Sequence, residues 1–154
     1  MKQRLNLMEK GGAAIQAMFG LVGYLGKSSV EKNLFNLIYF RVSQINGCAY
    51  CLDMHSKDLR AEGETEQRLY MLDAWRDATV YTERERAALL WAESLTKLGE
   101  SSVPDEVYEE ARKQFNEAEL VDLTMAVISI NGWNRLNIAF RTEAGNYQPG
   151  QWKD

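Results

Sequence analysis

The sequence predicts an all-α protein, and three observations lead there. Apolar residues recur at helical spacing along most of the chain. No alternating apolar–polar run lies between hairpin turns, so strand signals are weak. Helix-opening pairs also recur, and the only prolines are Pro104 and Pro149. Together these predict about six to seven helices in a single domain spanning residues 1–154, with neither linker nor internal repeat.

The first helix is expected over Met8–Leu25, where glycines leave its ends poorly marked. The second spans about Ser29–Gln44, with Leu34, Leu37, Ile38 and Arg41 at helical spacing. Asn46-Gly47 breaks it. A third helix then begins near Cys48 and runs to about Ala61, with Gly63 just past its end as a left-handed cap. A short fourth covers Thr65–Leu72. Thr82 and Glu85 form a capping pair that opens a fifth helix to about Leu98, stopped at Gly99. Pro104 suits the first turn of a sixth helix that ends near Phe115. Asn116 and Glu119 open the last helix, which runs to about Thr142. The tail from Gly145 reads as irregular. The stretch Leu120–Ile130 is apolar on most sides, which suits a helix buried centrally or against another subunit. A homo-oligomer built through helices is therefore expected.

Net charge is −4, and no basic stripe stands out, which argues against nucleic acid or an anionic membrane surface as partner. No apolar run approaches the ~18 residues of a membrane span. No cleavable leader is recognised near Lys2 and Arg4, so a cytoplasmic setting is expected. A structural disulfide would be unusual there, and the two cysteines call for a chemical reading.

That chemistry centres on INGCAYCLDMHSKDL, with the spacing C-x-x-C-x-x-x-H. On a helix beginning at Cys48, steps of three and four residues place Cys48, Cys51 and His55 on one face. The attacking species of a thiol is its thiolate. The helix amino terminus, with roughly +0.5 charge and unpaired amides, lowers a thiol pKa from its reference of about 8.5. His55, one turn beyond Cys51, is placed to act as a base or proton relay. A second thiol can trap an oxidised sulfur before over-oxidation. Two other readings stand on these residues alone: inert apolar cysteines, or zinc. Zinc is short of ligands, because the chain has no other cysteine or histidine. No metal site is expected.

The run NLIYFRVSQINGCAYCLDMHSKDL resembles the signature of the carboxymuconolactone decarboxylase superfamily, in its alkylhydroperoxidase AhpD-like branch. ETEQRLYMLDAWRD and TERERAALLWAESLT resemble that branch too, and the likeness is strongest over residues 30–142. The resemblance implies an AhpD-like all-α fold, trimers or hexamers, and thiol-dependent peroxidase or disulfide-exchange activity. It implies that Cys51 attacks a hydroperoxide or disulfide substrate and that Cys48 serves as proton donor and resolving thiol. It further implies a redox-active Cys48–Cys51 disulfide, a place for His55 in a proton relay, no other cofactor, and regeneration by an unnamed thiol reductant.

One position departs from the family pattern. The relay glutamate, twelve residues before the first cysteine, is Asn36 here. Asparagine cannot act as a general base, though it can orient an imidazole by hydrogen bond. The loss of a charge partner is expected to lower the His55 pKa. Glu85 or Glu93 would have to approach from the fifth helix to supply a carboxylate. Two alternatives stand beside the dithiol reading: a lactone decarboxylase-like enzyme without redox work, or a non-catalytic redox- or metal-sensing oligomer.

Trp75, Trp91 and Trp133 are expected in the core, with lining of an apolar pocket as their other reading. Tyr50, between the cysteines, is placed to shape access. Arg41, within an apolar helix, needs a carboxylate partner, and Arg135 poses the same question. The acidic runs around Glu109 and Glu117 read as solvated faces.

Overall fold

The computed structural model describes residues 2–98 and 102–152. Among these the chain forms eight α-helices and no strand. They are α1 (Leu7–Lys10), α2 (Gly12–Leu25), α3 (Lys32–Asn46), α4 (Ala49–Ala61), α5 (Glu66–Met71), α6 (Glu83–Thr96), α7 (Asp105–Gln114) and α8 (Glu117–Phe140), with a 3-10 turn at Leu72–Ala74.

Most predicted starts are found where expected. Thr82 and Asn116 each accept from the N3 amide while Glu85 and Glu119 reach back, so both capping boxes are complete. Pro104 is the residue before α7, and Phe115 ends that helix. Gly63 follows α4 at φ +97°. The helix expected over Met8–Leu25 is instead two, because Gly12 sits at φ +47° and turns the chain between α1 and α2. The stop expected at Gly99 lies outside the described residues.

α3 is the central element and packs against α4, α6 and α8. Its Ile38 and Val42 join Ala88, Leu123 and Val127 in the main core between α3, α6, α7 and α8. A second core gathers Leu37, Leu59, Leu72, Trp75 and Leu89 beneath α4 and α5. Each aliphatic chain buried to this extent contributes roughly 1.5–3 kcal/mol. Trp91 also lies in the main core, its Nε1 donating to Thr124 at 3.1 Å. Arg41, buried on α3, has the partners its position demands: its Nε meets Glu93 at 2.7 Å and its Nη1 pairs with Asp73. Glu93 is also bonded by Trp75 and Arg76. Arg135 is exposed and bonds back to Asn131 on its own helix.

Among the described residues no helix is long and apolar enough to cross a membrane. α8 has a buried side, but Val121 and Ile128 stand on its outer face, exposed to 59% and 53%. Val22 and Tyr24 of α2 are also exposed.

Candidate functional site

The cysteine pair begins at a tight corner. Gly47 takes up a left-handed conformation (φ +68°) and ends α3. Its amide donates to Gln44, and the Cys48 amide reaches back to the Ser43 carbonyl at 3.1 Å. This corner delivers Cys48 in extended conformation as the N-cap of α4, where its Sγ accepts from the Cys51 amide at 3.4 Å. Sulfur here takes the place that a serine or aspartate oxygen usually fills. Cys48 and Cys51 are joined by a disulfide, with their Cα atoms 5.4 Å apart. Each residue is only 1% exposed.

α8 clamps this corner from behind. Asn46 donates to Asn131 at 3.0 Å and to Asn134 at 2.8 Å. Asn134 in turn donates to Ser43 Oγ at 3.0 Å. One turn further along α8, the Asn137 amide donates to Cys51 Sγ at 3.6 Å and to the Trp133 carbonyl at 2.9 Å. Sequence reasoning did not single out Asn137. The available signal was a rail of asparagines at positions 131, 134 and 137, three apart on an otherwise apolar helix.

In front of Cys51 lies a cavity of about 510 Å³. Cys51 and His55 line it, with Tyr39, Ile130, Trp133 and Asn137. Cys48 is absent from its wall. Of the three tryptophans singled out by sequence, Trp133 alone reaches the cavity.

His55 is 6% exposed and lies beside the Tyr39 ring, 5.3 Å between centroids. Among the described residues neither ring nitrogen has a hydrogen-bond partner. Burial pushes its pKa down to about 3, so the imidazole is neutral at physiological pH. The direction matches the expectation, but the cause is desolvation. Burial likewise raises the Tyr39 phenol well above its ordinary value.

Asn36 also lines the cavity, yet it does not orient His55 by hydrogen bond. Its amide donates to Glu62 at the end of α4, at 2.8 Å, and Glu62 is paired with Lys32. Of the carboxylates considered from sequence, Glu93 is engaged by Arg41 and Arg76, and Glu85 by Arg68 and the Thr82 cap. The carboxylate beside Asn36 is therefore Glu62, a residue that sequence reasoning passed over.

The irregular tail closes one side of the cavity. The Gly145 amide donates to Asp53 at 2.9 Å, and Lys57 bonds the Gly145 and Tyr147 carbonyls, both at 3.0 Å. The buried Tyr147 hydroxyl meets Asp58 at 3.0 Å. Trp152 donates to the Tyr50 hydroxyl at 3.1 Å and lies against Phe19. Tyr50 is thus half-buried at the cavity wall, tied to the tail.

Comparison with known proteins agrees with this arrangement. The sequence pattern of the Carboxymuconolactone decarboxylase family matches residues 11–94, more than half of the chain. The uncharacterized protein YdfG of Bacillus subtilis is 40% identical over 146 residues, covering 95% of this chain and 99% of that one. The alkyl hydroperoxide reductase AhpD of Mycobacteroides abscessus is 41% identical over 56 residues, 36% of this chain and 31% of its own length. A solved protein of unknown function from Agrobacterium tumefaciens superposes with a TM-score of 0.90 at 39% identity, over 95% of this chain and all of that one. The family match and the full-length likeness to YdfG show that this chain belongs to the carboxymuconolactone decarboxylase family and has AhpD-like relatives.

Proposed function

We propose that the protein is a thiol–disulfide oxidoreductase of the peroxidase type, with Cys51 as attacking thiolate and Cys48 as resolving thiol. The observation that carries this reading is the Cys48–Cys51 pair at the amino end of α4, with Cys51 facing the cavity and Cys48 behind it.

In the reduced protein, the Cys51 thiolate attacks the terminal oxygen of a hydroperoxide. The O–O bond breaks, Cys51 becomes a sulfenic acid, and the alkoxide takes the Cys48 proton to leave as an alcohol. The Cys48 thiolate then attacks the Cys51 sulfur. An S–S bond forms, the S–O bond breaks, and hydroxide leaves as water after protonation. A dithiol reductant returns two electrons and regenerates the pair. His55, neutral and one turn beyond Cys51, accepts or passes the proton and supplies no fixed positive charge. A disulfide substrate follows the same course, with a thiolate in place of the alcohol as leaving group.

The test uses wild type, Cys48→Ser and Cys51→Ser, each supplied with an organic hydroperoxide and a dithiol reductant. Turnover is expected in wild type and in neither variant. Cys48→Ser should still form one sulfenic acid per chain, trapped by a dimedone-type reagent. Undiminished turnover in Cys51→Ser refutes the assignment.

A further inference from the structure

We propose that Asn137 decides which of the two sulfurs carries the negative charge in the reduced protein, and so makes Cys51 the attacking thiolate. The inference rests on the dithiol reading above and adds the residue that breaks the symmetry between its thiols.

Two thiols three residues apart do not both ionise readily, because the first thiolate repels a second. Helix position alone gives the charge to Cys48. It is the N-cap of α4, and its sulfur already accepts from the Cys51 amide at 3.4 Å. Cys51 lies inside the first turn, and its own amide is the one given to the Cys48 sulfur.

The cavity wall offers Cys51 no cation in return. Its titratable side chains are Tyr39 from α3, His55 and Asp58 from α4, Tyr50 from the same helix and Tyr147 from the tail. No lysine or arginine is among its described lining residues. The imidazole is neutral, and Asp58 carries the sign that opposes a thiolate.

The side chain that donates to the Cys51 sulfur among the described residues is Asn137, at 3.6 Å. Its amide nitrogen also donates to the Trp133 carbonyl at 2.9 Å, which fixes the group before the thiolate forms. A disulfide sulfur is a weak acceptor, whereas a thiolate is a strong one. The bond therefore strengthens on reduction. When a dithiol delivers two electrons, the S–S bond breaks, Cys48 takes one proton, and Cys51 remains as thiolate against Asn137. Because Asn137 touches the reacting sulfur, it acts as a catalytic residue.

The test reads each thiol separately. Asn137→Leu is made in Cys48→Ser and in Cys51→Ser proteins, and thiolate absorbance is followed against pH. In the Cys48→Ser background the Cys51 pKa should rise by about one unit, a roughly tenfold loss of thiolate. In the Cys51→Ser background the Cys48 pKa should stay within about 0.3 units. Asn137→Asp, nearly unchanged in shape, should raise the Cys51 pKa further through like charge, and it carries the test should the leucine variant fail to fold. With both cysteines present, Asn137→Leu should make the disulfide roughly tenfold harder to reduce, about 30 mV. An unmoved Cys51 pKa, or equal shifts in both thiols, overturns the proposal. Neither readout requires turnover. Failure of the peroxidase assay alone therefore leaves Asn137 standing, and failure of these shifts alone leaves the peroxidase reading standing.

Discussion

Replacing His55 with leucine tests the electrostatics of the site through stability. In the folded protein the imidazole is buried, with no partner at either nitrogen among the described residues, and its pKa is pushed down to about 3. In the unfolded chain it returns to a reference of about 6.5. Between these values the unfolded state binds one more proton than the native state, so stability rises with pH across the window. The contribution is present in full above about pH 6.5 and drains away as pH falls toward 3. Between pH 7 and pH 5 the loss from this one group is about 2 kcal/mol, from 1.36 kcal/mol per pKa unit over roughly 1.5 units. Urea unfolding of the oxidised protein at pH 7, 6 and 5 measures it. Carboxylates common to both proteins cancel in the difference. Wild type should lose about 2 kcal/mol more than His55→Leu over this range. Equal pH slopes would refute a neutral buried imidazole, as would a His55 ring resonance that titrates near pH 6.

Other consequences are open to simple measurement. Asn36→Glu should raise peroxidase turnover modestly, because the new carboxyl meets the Glu62 carboxylate; adding Glu62→Gln should release a larger gain, and no gain in either excludes a missing relay acid as the limit. Arg41→Leu leaves buried Glu93 with Arg76 and Trp75 alone and should cost about 3 kcal/mol by chemical denaturation; a loss under about 1 kcal/mol would show that the pair is dispensable. Light scattering should give a mass that is a multiple of 17.6 kDa. Glutamate at both Val121 and Ile128, on the exposed side of α8, should reduce that mass to one chain; a single-chain wild type would exclude assembly through this face.

The helices were readable from sequence wherever a local rule governs them. The two capping boxes, the Asn46-Gly47 break and the left-handed Gly63 all depend on residues within one turn of each other. The meeting of Cys51 and His55 at one cavity wall was readable for the same reason, since helix period sets it, whereas Cys48, the N-cap, lies behind that wall. The turn at Gly12 was missed because spacing cannot report the sign of φ inside a glycine-rich apolar run. Asn137 and Glu62 were missed on other grounds. Asn137 meets a cysteine 86 residues away, and Glu62 meets Asn36 across two helices. Such meetings follow from how α3, α4 and α8 pack, which no short window of sequence contains. The tail read as irregular and is irregular in backbone, but the Gly145 backbone and the Tyr147 hydroxyl are anchored by groups on α4.

That anchoring fixes one wall of the cavity to the helix that carries Cys51 and His55. Both cysteines are almost wholly enclosed, and the tail that closes one side of the Cys51 cavity is pinned at Asp53, Lys57 and Asp58. A reductant too bulky for the cavity is expected to reduce the pair at a rate that climbs with its concentration and then levels off, and a rate that stays linear would exclude the tail as a barrier. The Gly145 amide, held by Asp53, is expected to exchange its proton when the tail lifts, so hydrogen exchange at that one position can be compared with the plateau.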